Sequence, residues 1–192
     1  VIGGAIGLTH TEVSGFDAEQ LLSHAEVALT VAKAMPGNAH VRFTLEMDLR
    51  LRERQTIDLA LRHALERQQL TVTYQPQVEL ETGGLVGVEA LVRWQHPDLG
   101  IVPPDIFISA AEDNGEIVEI GRWVLQTACR EVAAWPFSTR LAVNVSPVQF
   151  ELVDIVAEVK EALRLSGLQA DRLDIEITES IFLSNAEHVA DA

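Results

Sequence analysis

The sequence is short of cysteine, of positive charge and of long apolar runs. Its 192 residues include one cysteine, Cys129, so no disulfide can form within the chain. Lysine and arginine number 14 against 29 aspartates and glutamates, and the net charge of −15 excludes broad electrostatic binding to DNA or RNA. No apolar run approaches the roughly 20 residues of a membrane span. We therefore expect a soluble, cytoplasmic chain without membrane contact, although a region outside it could anchor the parent protein.

Zinc-type ligand spacing is also lacking. The six histidines are scattered without an i, i+4 pair, and no CxxC pattern accompanies them, which excludes a closed structural zinc site. A small anionic ligand remains compatible with the acidic chain. Such a ligand would need locally placed cations or metal ions.

The sequence does contain enough apolar residues, 47% of the chain, for one sizeable core or for parts of two domains. The pattern of residues 1–45 predicts a strand, a helix with Asp17 as N-cap, and a second strand. We interpret this strand–helix–strand piece as the end of a larger domain. Residues 46–68 predict a charged linker helix. Residues 69–192 alternate strands with helices, and Gly115 and Gly167 are expected to end two of those helices.

The predicted elements of the last region indicate an α/β fold. They are strands Thr71–Gln75, Leu85–Trp94, Leu141–Val145 and Leu173–Thr178, and helices near Asp105–Asp113, Ile117–Ala134 and Leu152–Leu165. The short glycine-containing junction after the first strand is typical of antiparallel pairing. The later strands predict a parallel sheet, open or closed into a barrel. Ser184 and Glu187 form a capping box close to Ala192, so we expect a fragment whose end lies within a helix.

An acid and a base interrupt the most apolar strand. Glu89 and Arg93 share one face of Leu85–Trp94, about 13 Å apart along an extended strand, as the two ends of one ligand site could be. Burying either charge alone would be costly, so we expect a partner. The alternative is that both reach solvent at a strand end or pair with neighbours.

Two later strands each carry an oxygen-bearing side chain. Asn144 and Glu176 alternate with apolar residues, and a parallel barrel would bring them to the same end as Glu89. Two carboxylates and an amide oxygen suit Mg²⁺ or Mn²⁺. The alternative is that Asn144 caps the following loop and that Glu176 meets solvent.

Five ordered segments closely resemble the EAL domain family of cyclic di-GMP phosphodiesterases. They are Tyr74-Gln75-Pro76-Gln77, Glu89-Ala90-Leu91-Val92-Arg93-Trp94, Pro103-Pro104-Asp105-Ile106-Phe107-Ile108, Asn144-Val145-Ser146 and Glu176-Ile177-Thr178-Glu179-Ser180. The resemblance runs from about Leu51 to the last residue. It implies a (β/α)₈ TIM-like barrel with an antiparallel first strand, of which residues 69–192 are the N-terminal half.

The same resemblance implies individual roles. Metal ligands would be Glu89, Asn144 and Glu176, Arg93 would contact a substrate phosphate, Gln75 would lie at the substrate site, and Glu179 would steady the catalytic loop. In that family two Mg²⁺ or Mn²⁺ ions activate a water that opens cyclic di-GMP to linear pGpG. The family's Asp-Asp strand end, lysine and further glutamate would lie beyond this chain. We therefore expect the 192 residues alone to be inactive or nearly so.

Residues 1–45 resemble the C-terminal third of a GGDEF domain. The matching segments are Ala5-Ile6-Gly7, Ala25-Glu26-Val27-Ala28-Leu29, Ala32-Lys33 and Gly37-Asn38. Thr30 stands where that family usually has an aromatic residue, and the catalytic signature would lie upstream, so no cyclase activity is expected.

Together the two resemblances predict a piece of a tandem GGDEF–EAL protein of bacterial second-messenger signalling, with a homodimer through the intact EAL domain as an option. The main alternative is a non-catalytic module that binds cyclic di-GMP or a protein partner. A less favoured alternative is an unrelated metal-dependent barrel enzyme that acts on another phosphate ester.

Overall fold

The computed structural model describes residues 3–15 and 17–177. It divides the chain into two units, Val1–Ile57 and Asp58–Ala192. Within the described ranges, no helix combines the length and the apolar character needed to cross a membrane.

The first unit has the predicted strand–helix–strand order. Strands β1 (Ala5–Leu8) and β2 (Ala39–Arg42) pair in parallel, and the short helix α1 (Thr11–Ser14) and the longer helix α2 (Ala18–Ala34) connect them. Asp17 caps α2 as predicted, since its carboxylate accepts hydrogen bonds from the backbone N–H groups of Glu19 and Gln20. The buried core of this unit contains Val27, Ala28 and Phe43.

Helix α3 (Leu45–Leu61) ends before the predicted limit at residue 68. Residues 62–68 continue in hydrogen-bonded turns, and Gln68 takes a left-handed conformation with φ 55°. The Gln68 N–H donates to the Leu65 carbonyl, and the Gln69 N–H donates to the Ala64 carbonyl. These hydrogen bonds satisfy carbonyls of the turn segment and redirect the chain into the next strand.

The sheet of the second unit begins with the predicted antiparallel pair. Strands β3 (Leu70–Val78) and β4 (Leu85–His96) are antiparallel, and the short strand β5 (Gly100–Val102) also pairs with β4. Strand β6 (Arg140–Val145) is parallel to β4, and strand β7 (Leu173–Ile177) is parallel to β6. Over the described residues the strand order is β3-β4-β6-β7, and this sheet stays open.

Four helices and a short 3₁₀ helix connect these strands. They are α4 (Pro104–Asn114), α5 (Ile117–Ala133), α6 (Pro147–Leu152), α7 (Ile155–Ser166) and the 3₁₀ turn Ala170–Arg172. Gly115 and Gly167 follow α4 and α7 in the left-handed conformation, as predicted. Helix α6 was not predicted, and the following helix starts at Ile155 with Asp154 as its cap rather than at Leu152.

One face of the sheet forms the core of the second unit. From β4 it buries Val88, Ala90 and Trp94, whose indole N–H donates to the Gln69 side-chain oxygen at 3.1 Å. Cys129 on α5 is fully buried, and burial raises the pKa of its thiol to about 11. The single cysteine is therefore an apolar core residue, as its place in a predicted helix indicated.

Gly7 is expected to be essential for the first unit because it lets β1 approach α2. A Cβ at this position would lie 2.1 Å from the Ala25 carbonyl oxygen and 2.4 Å from the Leu29 nitrogen, and backbone atoms cannot move aside cheaply. Gly7→Ala should lower the free energy of unfolding by roughly 3 kcal/mol in urea titrations, at the upper end of overpacking costs. Gly4→Ala is the control, since nothing lies within 4 Å of its Cβ position. Equal midpoints for the two variants would contradict the close packing.

Candidate functional site

The polar face of the sheet collects four of the predicted side chains. Gln75 on β3 is directly opposite Glu89 on β4, and Glu89 is aligned with Ala142 on β6. Because alternate residues share a face, Asn144 lies on the same side as Ala142, and Asn144 is aligned with Glu176 on β7. The register therefore brings an amide, two carboxylates and a second amide to one face.

A hydrogen bond joins Asn144, near the carboxyl end of β6, to Glu89 in the first half of β4. The Asn144 Nδ2 donates to Glu89 Oε1 at 2.7 Å, and this amide is the predicted partner that the acidic residue of β4 requires. The bond leaves Asn144 Oδ1 and Glu89 Oε2 as acceptors. The N-cap of the following helix is Ser146 rather than Asn144.

An ion pair lies on the same face, further from the carboxyl ends. Arg140 on β6 pairs with Asp174 on β7, two residues before Glu176. Glu89 and Glu176 form no ion pair with any described lysine or arginine. Among the described residues of this face, Glu89 and Glu176 are thus the carboxylates without a basic partner, and Asn144 lies between their strands.

A pocket of about 480 Å³ includes Asn144 of this group among its lining residues. Its walls are mostly apolar side chains of β4, α4 and α5, and its polar lining includes Arg93, Glu112, Asn144 and Ser146. Arg93 is half-buried, and within the described part of the chain its one hydrogen bond is from Nη1 to the neighbouring Val92 carbonyl at 2.9 Å. A half-buried guanidinium without a described anionic partner suits an anionic ligand.

The turn after β6 contains functional candidates that the sequence analysis missed. Ser146 is the N-cap of α6: its Oγ accepts from the Val148 N–H at 3.2 Å and donates to Glu112 Oε1 at 2.6 Å. Gln149 completes a capping box by accepting the Ser146 N–H at 3.0 Å. The sequence signal for this capped helix was a serine followed directly by proline, with a glutamine three residues after the serine. Glu112 left no such signal, because its partner lies 34 residues away.

The oxygen donors at the sheet edge fit a hard divalent cation. Glu89, Asn144 and Glu176 offer carboxylate and amide oxygens, the ligand types that Mg²⁺ and Mn²⁺ prefer. No group of three or more histidine, cysteine, aspartate or glutamate residues suited to a metal ion occurs among residues 3–15 and 17–177. A site here would thus need the amide of Asn144 together with the two carboxylates.

The predicted site residues are partly brought together. Glu89 and Asn144 are in contact, Gln75 and Glu176 share their face, and Arg93 lines the adjoining pocket. Gln75 is exposed. Glu179 lies outside the described residues. The catalytic, substrate-binding and metal-binding roles of these residues stay predictions.

Comparison with known families assigns the second unit to a protein family. A sequence model described as the EAL domain matches residues 58–192. The chain belongs to the EAL domain family. The matched range starts at the boundary between the two units of the structure.

Two curated relatives extend this result. The bifunctional diguanylate cyclase/cyclic di-GMP phosphodiesterase MucR of Pseudomonas aeruginosa is 36% identical over 190 residues, which are 97% of this chain and 28% of MucR. The cyclic di-GMP phosphodiesterase PdeR of Escherichia coli is 37% identical over 186 residues, 95% of this chain and 28% of PdeR. This EAL family member therefore spans little more than a quarter of each relative.

A solved structure supports the fold. The PaMucR phosphodiesterase in its c-di-GMP complex superposes with a TM-score of 0.66 and 41% sequence identity. The superposition covers 69% of this chain and 56% of that one. The α/β architecture of this chain is thus that of an EAL domain, over the portion the two share.

The contact between Asn144 and Glu89 can be tested by introducing a negative charge at position 144 and measuring stability against pH. In Asn144→Asp two carboxylates would lie at hydrogen-bond distance, which raises the pKa of the pair above its unfolded value. Stability is then highest at low pH and falls as pH rises through that raised pKa. The loss between pH 5 and 8 should be about 1 kcal/mol after solvent screening, measured by thermal unfolding.

Gln169→Glu is the matched control for this prediction, since it adds the same charge at an exposed position of the same unit. Added Mn²⁺ should restore the stability of Asn144→Asp by neutralising the pair. Identical pH dependence in the two variants would show that Asn144 and Glu89 are not in contact.

Proposed function

We propose that this chain is part of a cyclic di-GMP phosphodiesterase that opens cyclic di-GMP to linear pGpG in bacterial second-messenger signalling. Family membership supports the choice of ligand, because the relatives MucR and PdeR are both named as cyclic di-GMP phosphodiesterases. The similar PaMucR structure is a complex with c-di-GMP.

The observation that supports the proposal is that Glu89 of β4 shares one face of the sheet with Asn144 and Glu176, which stand near the carboxyl ends of the parallel strands β6 and β7. The Asn144–Glu89 hydrogen bond fixes two of these side chains against each other, and strand register aligns the third with Asn144. In this fold class, active sites lie at that end of the strands. The side chains supply oxygen donors and excess negative charge, which a divalent cation would compensate.

We assign Glu89, Asn144 and Glu176 as the ligands of Mg²⁺ or Mn²⁺. Such ions supply an activated water and stabilise charge on the displaced oxygen of a phosphodiester. The contribution of the chain is to hold the donors in place. Asn144 Nδ2 orients the Glu89 carboxylate, while the apolar face behind β4 and β6 keeps the strands rigid.

Arg93 and Gln75 would bind the substrate. Arg93 lines the same pocket as Asn144, and its guanidinium would form charge-assisted hydrogen bonds with a phosphate. Gln75, opposite Glu89, would offer its exposed amide to the dinucleotide. We retain Glu179 as the residue that steadies the catalytic loop, on the family resemblance alone.

The proposal extends to the architecture. We infer that residues 69–192 are the N-terminal half of a TIM-like barrel, that residues 46–68 link it to the preceding domain, and that residues 1–45 are the end of a GGDEF domain. The match to the bifunctional MucR supports this reading, since it covers 97% of the chain and therefore includes residues of the first unit. A cytoplasmic location and a homodimer through the complete EAL domain belong to the same proposal.

The second candidate is a non-catalytic module that binds cyclic di-GMP or a protein partner. It is favoured by the small donor set, because within the described residues the cluster has two carboxylates and one amide for the two ions of the family mechanism. For the same reason we propose that these 192 residues alone hydrolyse cyclic di-GMP very slowly or not at all.

Chromatography of cyclic di-GMP incubated with Mn²⁺ tests the enzyme proposal. The extended protein, meaning this chain continued through the complete EAL domain, should form pGpG. Glu89→Gln should reduce its rate by more than roughly 100-fold, the upper end of what the loss of a partner around a metal ligand costs. The 192-residue chain should form little or no product.

Glu81→Gln in the exposed β3–β4 turn is the control for loss of a carboxylate, and it should keep the wild-type rate. If the extended protein binds cyclic di-GMP but releases no pGpG, the binding module is the better assignment. Turnover by the 192-residue chain at the rate of the extended protein would overturn its proposed inactivity.

Arg93→Ala should weaken cyclic di-GMP binding without a metal ion. In calorimetric titrations with EDTA, the dissociation constant of the extended protein should rise roughly 10- to 100-fold, as expected for the loss of charged hydrogen bonds to a phosphate. Arg164→Ala is the control, because that arginine pairs with Glu161 on the exposed side of α7. An unchanged constant for Arg93→Ala would remove Arg93 from the substrate site.

A further inference from the structure

We propose that Ser146, held by Glu112 and Gln149, is a positioning residue that sets the direction of Asn144 and thereby the affinity for the divalent cation. This inference rests on the proposed function, since it concerns the same cation site. Neither Ser146 nor Glu112 is among the assigned ligands. Their effect would pass through the backbone of the β6–α6 junction.

The junction is short enough to transmit such an effect. Strand β6 ends at Val145 and α6 begins at Pro147, so Ser146 alone connects them. Pro147 has a restricted φ angle and occupies the first helical position, where its missing N–H is harmless. Asn144 stands two residues before Ser146, and a change in the turn would rotate its side chain away from Glu89.

Three hydrogen bonds hold the turn, two of them from α6 and one from α4. The Ser146 hydroxyl is used twice, as acceptor from the Val148 N–H of α6 and as donor to Glu112 of α4 at 2.6 Å. The Ser146 N–H donates to the Gln149 side chain at 3.0 Å. The bond to Glu112 joins α4 to the strand end, which a capping box on its own would not do.

Helix α5 is shaped to admit this arrangement. Gln149 is 5% exposed and lies against Gly121, where a Cβ would be 2.2 Å from Gln149 Nε2. Any larger residue at position 121 would push the amide out of its place, and with it the acceptor of the Ser146 N–H. Gly121 is therefore coupled to the turn although it is on another helix.

The test is the Mn²⁺ dissociation constant of the extended protein, measured by the electron paramagnetic resonance signal of free Mn²⁺. Ser146→Ala should weaken binding roughly 10- to 100-fold, as the loss of partners around metal ligands does, whereas Ser146→Thr keeps the hydroxyl and should restore it. Gly121→Ala should weaken binding in the same direction. Ser166→Ala is the matched control, because that serine caps the end of α7 through the Leu168 N–H.

Two variants at Glu112 distinguish a role in holding Ser146 from a direct electrostatic attraction of the cation. Glu112→Gln keeps an oxygen acceptor for Ser146 and should bind Mn²⁺ within about threefold of the wild type, while Glu112→Ala should resemble Ser146→Ala. Equal loss in both Glu112 variants would mean that its charge attracts the cation directly, and would overturn the proposal. This pair also decides the matter if Ser146→Ala fails to fold.

Glu89→Gln distinguishes failure of this inference from failure of the proposed function. If Glu89→Gln binds Mn²⁺ as tightly as the wild type, the cation site itself is wrong and the inference fails with it. If Glu89→Gln loses binding but Ser146→Ala does not, the site stands and Ser146 has no positioning role. Loss in both, with Ser166→Ala unchanged, supports both.

Discussion

The parallel register of β4, β6 and β7 is the constraint on which the second unit depends. Parallel strands end at the same edge of a sheet, and alternate residues point to opposite faces. The β4–β6 register aligns Glu89 with Ala142, the β6–β7 register aligns Asn144 with Glu176, and together they keep the apolar residues on the other face. A slip of one residue would exchange the two faces and lose the core and the candidate site at once.

Among the described residues on the polar face of the sheet, opposite charges are paired only at the end away from Asn144. The ion pair between Arg140 and Asp174 compensates charge away from the carboxyl ends of the strands. At those ends Asn144 satisfies one oxygen of Glu89, and negative charge is left over. The proposed binding of a divalent cation depends on this surplus of negative charge, because a cation would compensate it.

Much of the fold was predictable because local signals agreed with tertiary packing. The cap at Asp17, the helix ends at Gly115 and Gly167, the antiparallel first pair and the parallel later strands are all confirmed. Strand β5 and helix α6 escaped prediction because elements of three and six residues are too short to show periodicity. The end of α3 was misplaced because residues 62–68 form hydrogen-bonded turns up to the left-handed Gln68 rather than α-helix.

The sequence by itself determined the candidate donors, since an isolated acid or amide within an apolar alternating strand stands out in one dimension, and it determined the family through motifs in order. Tertiary structure decided which donors meet. The Asn144–Glu89 contact spans 55 residues, and the Ser146–Glu112 contact spans 34. Neither follows from local periodicity, because strand register and helix packing, which act between distant segments, choose the partner of each polar group.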